Sequence, residues 1–186
     1  SFSDSERTLS SIIDCIYLWH KNEYNPGNKM WGDKTPFLIF KLKWLKLVYP
    51  NAKIVYLIRD GRDVVASSIS MTSWSIKIAS QRWIASVKNF ERNKTDWSYI
   101  QVKYEDLVKN TEEQLERVAN FIGAERKKSI ESQNLELGDT VLDHHRNIFY
   151  PVNPNSINKY QKQLTAEAQL YLMTKMKKYL RLYGYT

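Results

Sequence analysis

The run Lys53-Ile54-Val55-Tyr56-Leu57-Ile58, followed at once by Arg59-Asp60-Gly61-Arg62-Asp63, constrains the fold more than any other stretch of the chain. It is short, β-branched and continuously apolar after its first lysine, which predicts a strand buried on both faces, as in a parallel sheet. A helix is expected next, with Asp60 as its cap, Asp63 three residues on completing a capping box, and Gly61 permitting the tight turn. That order delivers Arg59 to the carboxyl edge of the sheet, where open α/β folds bind ligands. The helix N-terminus offers unpaired N–H groups and partial positive charge, and Arg59 adds a planar fork of donors. Ser67, one helical turn beyond Asp63, brings a hydroxyl toward the same place. Together these describe a phosphate site. The plain alternative is a structural Arg59–Asp60 ion pair at a strand end, and the pattern alone does not choose between them.

The rest of the chain alternates helices with short extended runs. Leu9, Ile12, Ile13, Ile16 and Trp19 have the spacing of an amphipathic helix, which Asn25-Pro26-Gly27-Asn28 interrupts. Thr35-Pro36 opens a second helix through residues 37–48, apolar on most faces and therefore expected to be buried. A helix over 75–93 carries Trp83, Val87 and Phe90 on one stripe, and residues 97–103 read as a second strand. Thr111-Glu112-Glu113-Gln114 resembles a capping box for a helix closed by Gly123, residues 135–160 are loop-like, and a last helix over 165–182 is expected to pack through Leu170, Met173 and Leu180. Strands separated by helices predict an α/β fold with a parallel sheet flanked by helices. With no repeat and no linker, one domain over residues 1–186 is expected.

A net charge of +8 and a pI near 9.4 favour anionic partners such as nucleotides, nucleic acid, sulfated sugars or acidic peptides, although a basic surface also simply aids solubility. Cys15 is the only cysteine, which excludes an intrachain disulfide and points to a reducing, cytoplasmic compartment. No apolar run approaches the roughly 18 residues that span a bilayer. Ser1-Phe2-Ser3-Asp4 has neither an initiator Met nor a signal-peptide pattern and reads as an internal start, so a lumenal fragment of a Golgi enzyme is the alternative location.

The segment around Arg59 resembles the 3′-phosphate-binding element of the PAPS-dependent sulfotransferase superfamily, in which an Arg at the strand end and a Ser eight residues later grip the nucleotide; Arg59 and Ser67 have that spacing. Three more segments follow in family order. Trp31-Gly32-Asp33-Lys34-Thr35-Pro36 is similar to the Lys-containing segment of carbohydrate and tyrosylprotein sulfotransferases. Val102-Lys103-Tyr104-Glu105-Asp106-Leu107 is similar to the strand end whose Tyr lies against adenine. Val152-Asn153-Pro154-Asn155-Ser156-Ile157-Asn158-Lys159-Tyr160 is similar to the C-terminal loop that closes over the nucleotide.

The resemblance covers about residues 30–186 and implies a P-loop-like sulfotransferase fold, a sulfuryl transfer from PAPS to the hydroxyl of a sugar, a peptide tyrosine or a small alcohol, PAP as product and no metal. It implies that Arg59 and Ser67 bind the 3′-phosphate and Tyr104 contacts adenine. Lys34 then stabilises charge on the leaving phosphate, and Lys159 and Tyr160 help close the loop. The family's Gly-rich 5′-phosphosulfate loop has no counterpart here, since Gly27 and Gly32 are isolated and follow no strand. An N-terminally truncated domain carrying the 3′-phosphate and adenine half of the site is therefore expected. His20, Glu23 and Asp33 are the local options for a general base. A nucleotide kinase would need a Gly-x-x-x-x-Gly-Lys-Ser/Thr loop, which is absent. A non-enzymatic basic module for nucleotide, nucleic acid or glycan is the alternative, with nucleic acid the least expected partner.

Overall fold

The computed structural model describes residues 8–24, 27, 30–125 and 156–185. The chain divides into two compact units, one formed by Ser1–Ala52 with Asn89–Ser98 and the other by Lys53–Lys88 with Tyr99–Thr186.

In the first unit, helix α1 spans Leu9–Tyr24 and stops where the Asn-Pro-Gly segment begins. Its contacts come from aromatic side chains rather than an apolar stripe. Tyr17 stacks on Trp31 at 4.2 Å between ring centroids, and Tyr49 donates to Asp14 Oδ1 (3.1 Å) and Ser10 O (3.2 Å). The helix opened by Pro36 begins as a 3₁₀ turn over Pro36–Lys41 and becomes α2 over Leu42–Val48. The expectation of a buried helix fails here: only Leu42 is buried, Phe37 and Trp44 are exposed, and Leu47 is 83% exposed. Lysines at 41 and 43 are exposed, and half-buried Lys46 donates to Pro50 O at 2.6 Å and lies over the Trp97 ring, so their charged ends hold those turns at the surface.

The second unit contains β1 (Lys53–Ile58) and β2 (Ser98–Lys103, its first residue in the first unit), paired in parallel as expected. β1 alternates, however, instead of being buried on both faces. Tyr56 and Ile58 are buried, whereas Val55 and Leu57 are 43% and 53% exposed. A period-2 pattern of this kind marks a strand covered on one side, and an apolar run by itself cannot reveal which sides are covered.

Helix α3 follows over Gly61–Met71 and α4 over Ile76–Asn93, with Trp83, Val87 and Phe90 buried on the expected stripe. After β2 come α5 (Tyr104–Lys109) and α6 (Thr111–Ile122). Gly123, at φ 84°, closes α6 in the left-handed conformation its position predicted. The capping box at its start does not form. Asn110 is the cap residue, without a side-chain bond, and Thr111 instead donates its hydroxyl back to Leu107 O in α5 at 2.8 Å.

A short α7 (Tyr160–Gln163) leads to α8 (Ala166–Leu182), capped by Thr165 and packed against α3. The buried stripe of α8 is Ala168, Leu172, Met176 and Leu180, while Leu170 and Met173 are exposed. No helix among the described residues is long and apolar enough to cross a membrane.

Candidate functional site

Arg59 is the first residue after β1, and the strand presents it at the sheet's carboxyl edge. Its guanidinium lies over the Tyr104 ring, 4.6 Å from the centroid, and Tyr104 in turn stands directly after β2. Two parallel strands thus bring an arginine and a tyrosine into a cation–π stack. Arg59 Nη2 donates to Ser156 O at 2.5 Å, and Tyr104 Oη is 2.8 Å from Ser156 Oγ. Arg59 Nε is buried without a hydrogen-bond partner among the described residues. A buried charged donor left open in this way is costly unless something anionic or polar completes it.

The Arg59–Asp60 ion pair that the sequence left open as the alternative does not occur; Arg59 pairs with Asp63 and Asp60 with Arg62. Asp60 caps α3, accepting from Arg62 N at 2.8 Å, and binds the Arg62 side chain, with Nη2 to Oδ2 at 2.6 Å. Burial works against charge on Arg62, but the Asp60 carboxylate outweighs it, with help from Tyr160 and Asp63, and the guanidinium pKa is raised. Nor does Asp63 complete a capping box. Its fully buried carboxylate turns away from the helix start and accepts from Asn158 N (Oδ2, 2.8 Å) and Tyr160 N (Oδ1, 2.9 Å), standing 3.6 Å from Arg59 Nη2. Asp60 N donates to Glu105 Oε1 (2.9 Å), and Glu105 Oε2 accepts from Tyr185 Oη (2.9 Å). Burial, with Glu105 beside it, pushes the Tyr185 pKa well up, so its hydroxyl stays protonated and donating. Asp60 and Glu105 are thus engaged by other neighbours, and Arg59, although ion-paired with Asp63 at 3.6 Å, keeps a buried Nε that no described residue satisfies and that an anion could complete.

Gly61 has a different reason from the one expected. Its φ is not positive; it is buried, and a Cβ there would lie 2.7 and 2.8 Å from Cδ2 and Cε2 of Trp83 and 2.2 Å from Met176 Cε. The methionine end can swing aside, but the indole is buried and its N–H reaches Arg59 O at 3.3 Å. Gly61→Ala is expected to cost about 1–3 kcal/mol by overpacking, read as a lower denaturation midpoint at unchanged slope.

The structure thus brings Arg59 and Tyr104 together, and it carries Tyr160 to α3 through Asp63 and through a stack of Arg62 on the Tyr160 ring, 4.4 Å from its centroid. Ser67 is half-buried on α3, its hydroxyl 3.4 Å from Met71 Sδ, and is not bonded to Arg59. Lys159 is exposed at the start of α7. Lys34 is exposed in the first unit, between Asp33 and Thr35, whose side chains bond at 2.9 Å. The part of the loop-like stretch over residues 135–155, with His144 and His145, lies outside the described residues. Among the described residues no group of three or more His, Cys, Asp or Glu is placed to hold a metal. Ser156, Asp63 and Glu105 were not singled out as site residues by the sequence; Ser156 sits inside a segment noted for its resemblance, but its partners are 97 and 52 positions away.

Residues 6–128 match a family model described as the sulfotransferase family. The chain is 26% identical over 153 residues to protein-tyrosine sulfotransferase A of Caenorhabditis elegans, an alignment covering 77% of the chain and 37% of that protein. It is 25% identical over 139 residues to protein-tyrosine sulfotransferase 1 of Danio rerio, covering 70% and 36%. The chain thus spans little more than a third of the length of these two relatives. Two solved structures share its fold at 20% identity: the sulfotransferase domain from the curacin biosynthetic pathway (TM-score 0.62, 89% of this chain and 68% of that one) and the sulfotransferase domain of the Synechococcus PCC 7002 olefin synthase (0.66, 90% and 63%).

Proposed function

The chain belongs to the sulfotransferase family, and from that premise we propose that it serves sulfuryl transfer from PAPS to an acceptor hydroxyl, holding the 3′-phosphate of the nucleotide through Arg59. The observation that carries this reading is Arg59 itself, delivered by β1 to the sheet edge, stacked on Tyr104 and keeping a buried Nε without a partner among the described residues. A phosphate dianion fits such a donor, because a guanidinium binds phosphate oxygens through paired N–H groups. PAPS, when bound, supplies the activated sulfuryl group and leaves as PAP.

The chain's own residues then have distinct tasks. Arg59 and Ser67 hold the 3′-phosphate, and Tyr104 both orients Arg59 and offers its ring to adenine. Lys159 and Tyr160 close the C-terminal segment over the nucleotide. Lys34 supplies positive charge toward the leaving phosphate, a form of electrostatic stabilisation that is strongest when the charge is fixed in advance. Relatives named as protein-tyrosine sulfotransferases favour a peptide tyrosine as acceptor over a sugar or a small alcohol. One cysteine in the whole chain remains compatible with a reducing compartment.

The test is a comparison of 3′,5′-ADP with 5′-AMP. At a free concentration about 100 times its Kd, a ligand of the folded state stabilises it by about 2.7 kcal/mol, which for a chain of this size raises Tm by about 5–10 °C. 3′,5′-ADP is expected to do so and 5′-AMP is not. Equal responses to the two nucleotides, combined with tight heparin or DNA binding that weakens steeply with salt, would favour a basic binding module instead.

A further inference from the structure

We propose that Asp63 is the positioning residue of the nucleotide grip, a buried carboxylate that ties residues 156–160 to the start of α3 and so fixes where Arg59 and Tyr104 stand. This rests on the 3′-phosphate reading of Arg59 given above.

The geometry is specific. Each oxygen of the Asp63 carboxylate takes one backbone N–H from the distant segment, Asn158 to Oδ2 and Tyr160 to Oδ1, and the side chain is 0% exposed. Asn158 is held at φ 60°, a left-handed conformation that a short polar residue tolerates when its surroundings determine it. Bending the backbone there turns Ser156 inward. Its carbonyl oxygen then meets Arg59 Nη2, and its hydroxyl meets Tyr104 Oη. One carboxylate therefore organises both members of the stack through a single five-residue segment, while its own charge lies 3.6 Å from the guanidinium. Two N–H donors meet the one side chain, one at each oxygen, which a carboxylate satisfies with two acceptors. An asparagine cannot, because its amide nitrogen would face one of them.

The experiment uses the whole chain and its Asp63→Asn variant, with far-UV circular dichroism to check folding. Amide hydrogen exchange at Asn158 and Tyr160 reports the clamp without any ligand, and titration with 3′,5′-ADP and 5′-AMP reports the grip. The expected result is slow exchange at both amides in the parent chain and fast exchange at one or both in the variant. Affinity for 3′,5′-ADP should fall about tenfold, with the weak affinity for 5′-AMP unchanged. Unprotected amides in the parent chain, an unchanged 3′,5′-ADP affinity in the folded variant, or an equal loss for both nucleotides would each overturn the proposal.

Should Asp63→Asn fail to fold, the parent chain decides. 3′,5′-ADP must slow exchange at Asn158 and Tyr160 and 5′-AMP must not; absence of that difference overturns the role. Protected amides in a chain that binds neither nucleotide would overturn the nucleotide reading itself, leaving Asp63 a purely structural tie.

Discussion

Arg59→Ala is expected to lower affinity for 3′,5′-ADP about a hundredfold or more while leaving the fold intact. Truncating one member of a desolvated charge pair typically costs about 2–5 kcal/mol of binding, and the free Nε shows that Arg59 is not saturated by its protein partners. The cost to stability should be about 1–3 kcal/mol, because the side chain is 21% exposed and its intramolecular contacts are the Tyr104 stack, one bond to Ser156 O and the ion pair with Asp63 at 3.6 Å. Asp63 loses the Arg59 guanidinium in the variant but keeps its two backbone donors, which limits the cost of leaving its charge buried. Arg59→Lys separates charge from geometry. A lysine keeps the charge but loses the planar fork, and an affinity between those of the parent and the alanine variant is expected. Calorimetric titration checks both. A variant that loses several kcal/mol of stability yet binds 3′,5′-ADP as before would show that Arg59 is a structural strap.

The turn from β1 into α3 was readable because its signals are local. A β-branched run, an Asp at the cap position and a following helix need only neighbours in sequence, and β1 and α3 begin where those signals place them. The partners of the charged residues in that turn were not readable. Asp63 had every local mark of a capping-box member, but its carboxylate is bonded to residues 95 and 97 positions away. Local pattern supplies the competence of a side chain, whereas tertiary contact selects among its possible uses. Gly61 teaches the same lesson: its place in a turn suggested conformational freedom, and the real demand comes from Trp83 and Met176 arriving from two other helices. Tyr104 and Tyr160 were identified through resemblance to a family rather than from their own surroundings, and the structure adds what that could not, a stack on Arg59 for one and on Arg62 for the other.

Helix α8 offers the sharpest test of packing, because two readings of the same helix predict opposite outcomes. Hydrophobicity placed Leu170 and Met173 in the interface, yet Leu170 is 68% exposed and Leu172, two residues on, is 0% exposed. Two residues along a helix are about 200° of rotation apart, so both leucines cannot face the core. Lysines at 175, 177 and 178 constrain the rotation, and the stripe Ala168, Leu172, Met176 and Leu180 keeps them outward. Leu172→Ala is therefore expected to cost about 2–5 kcal/mol, the transfer term plus the cavity it leaves beside Met176. Leu170→Ala should fall within about 0.5 kcal/mol of the parent, as a surface substitution in a good helix former's favour. Equilibrium denaturation of the two variants side by side measures this. Near-equal losses, or a larger loss at Leu170, would mean that the helix is rotated from the position described. Because Met176 also crowds Gly61 at the head of α3, that rotation would move the support of the Arg59 turn as well.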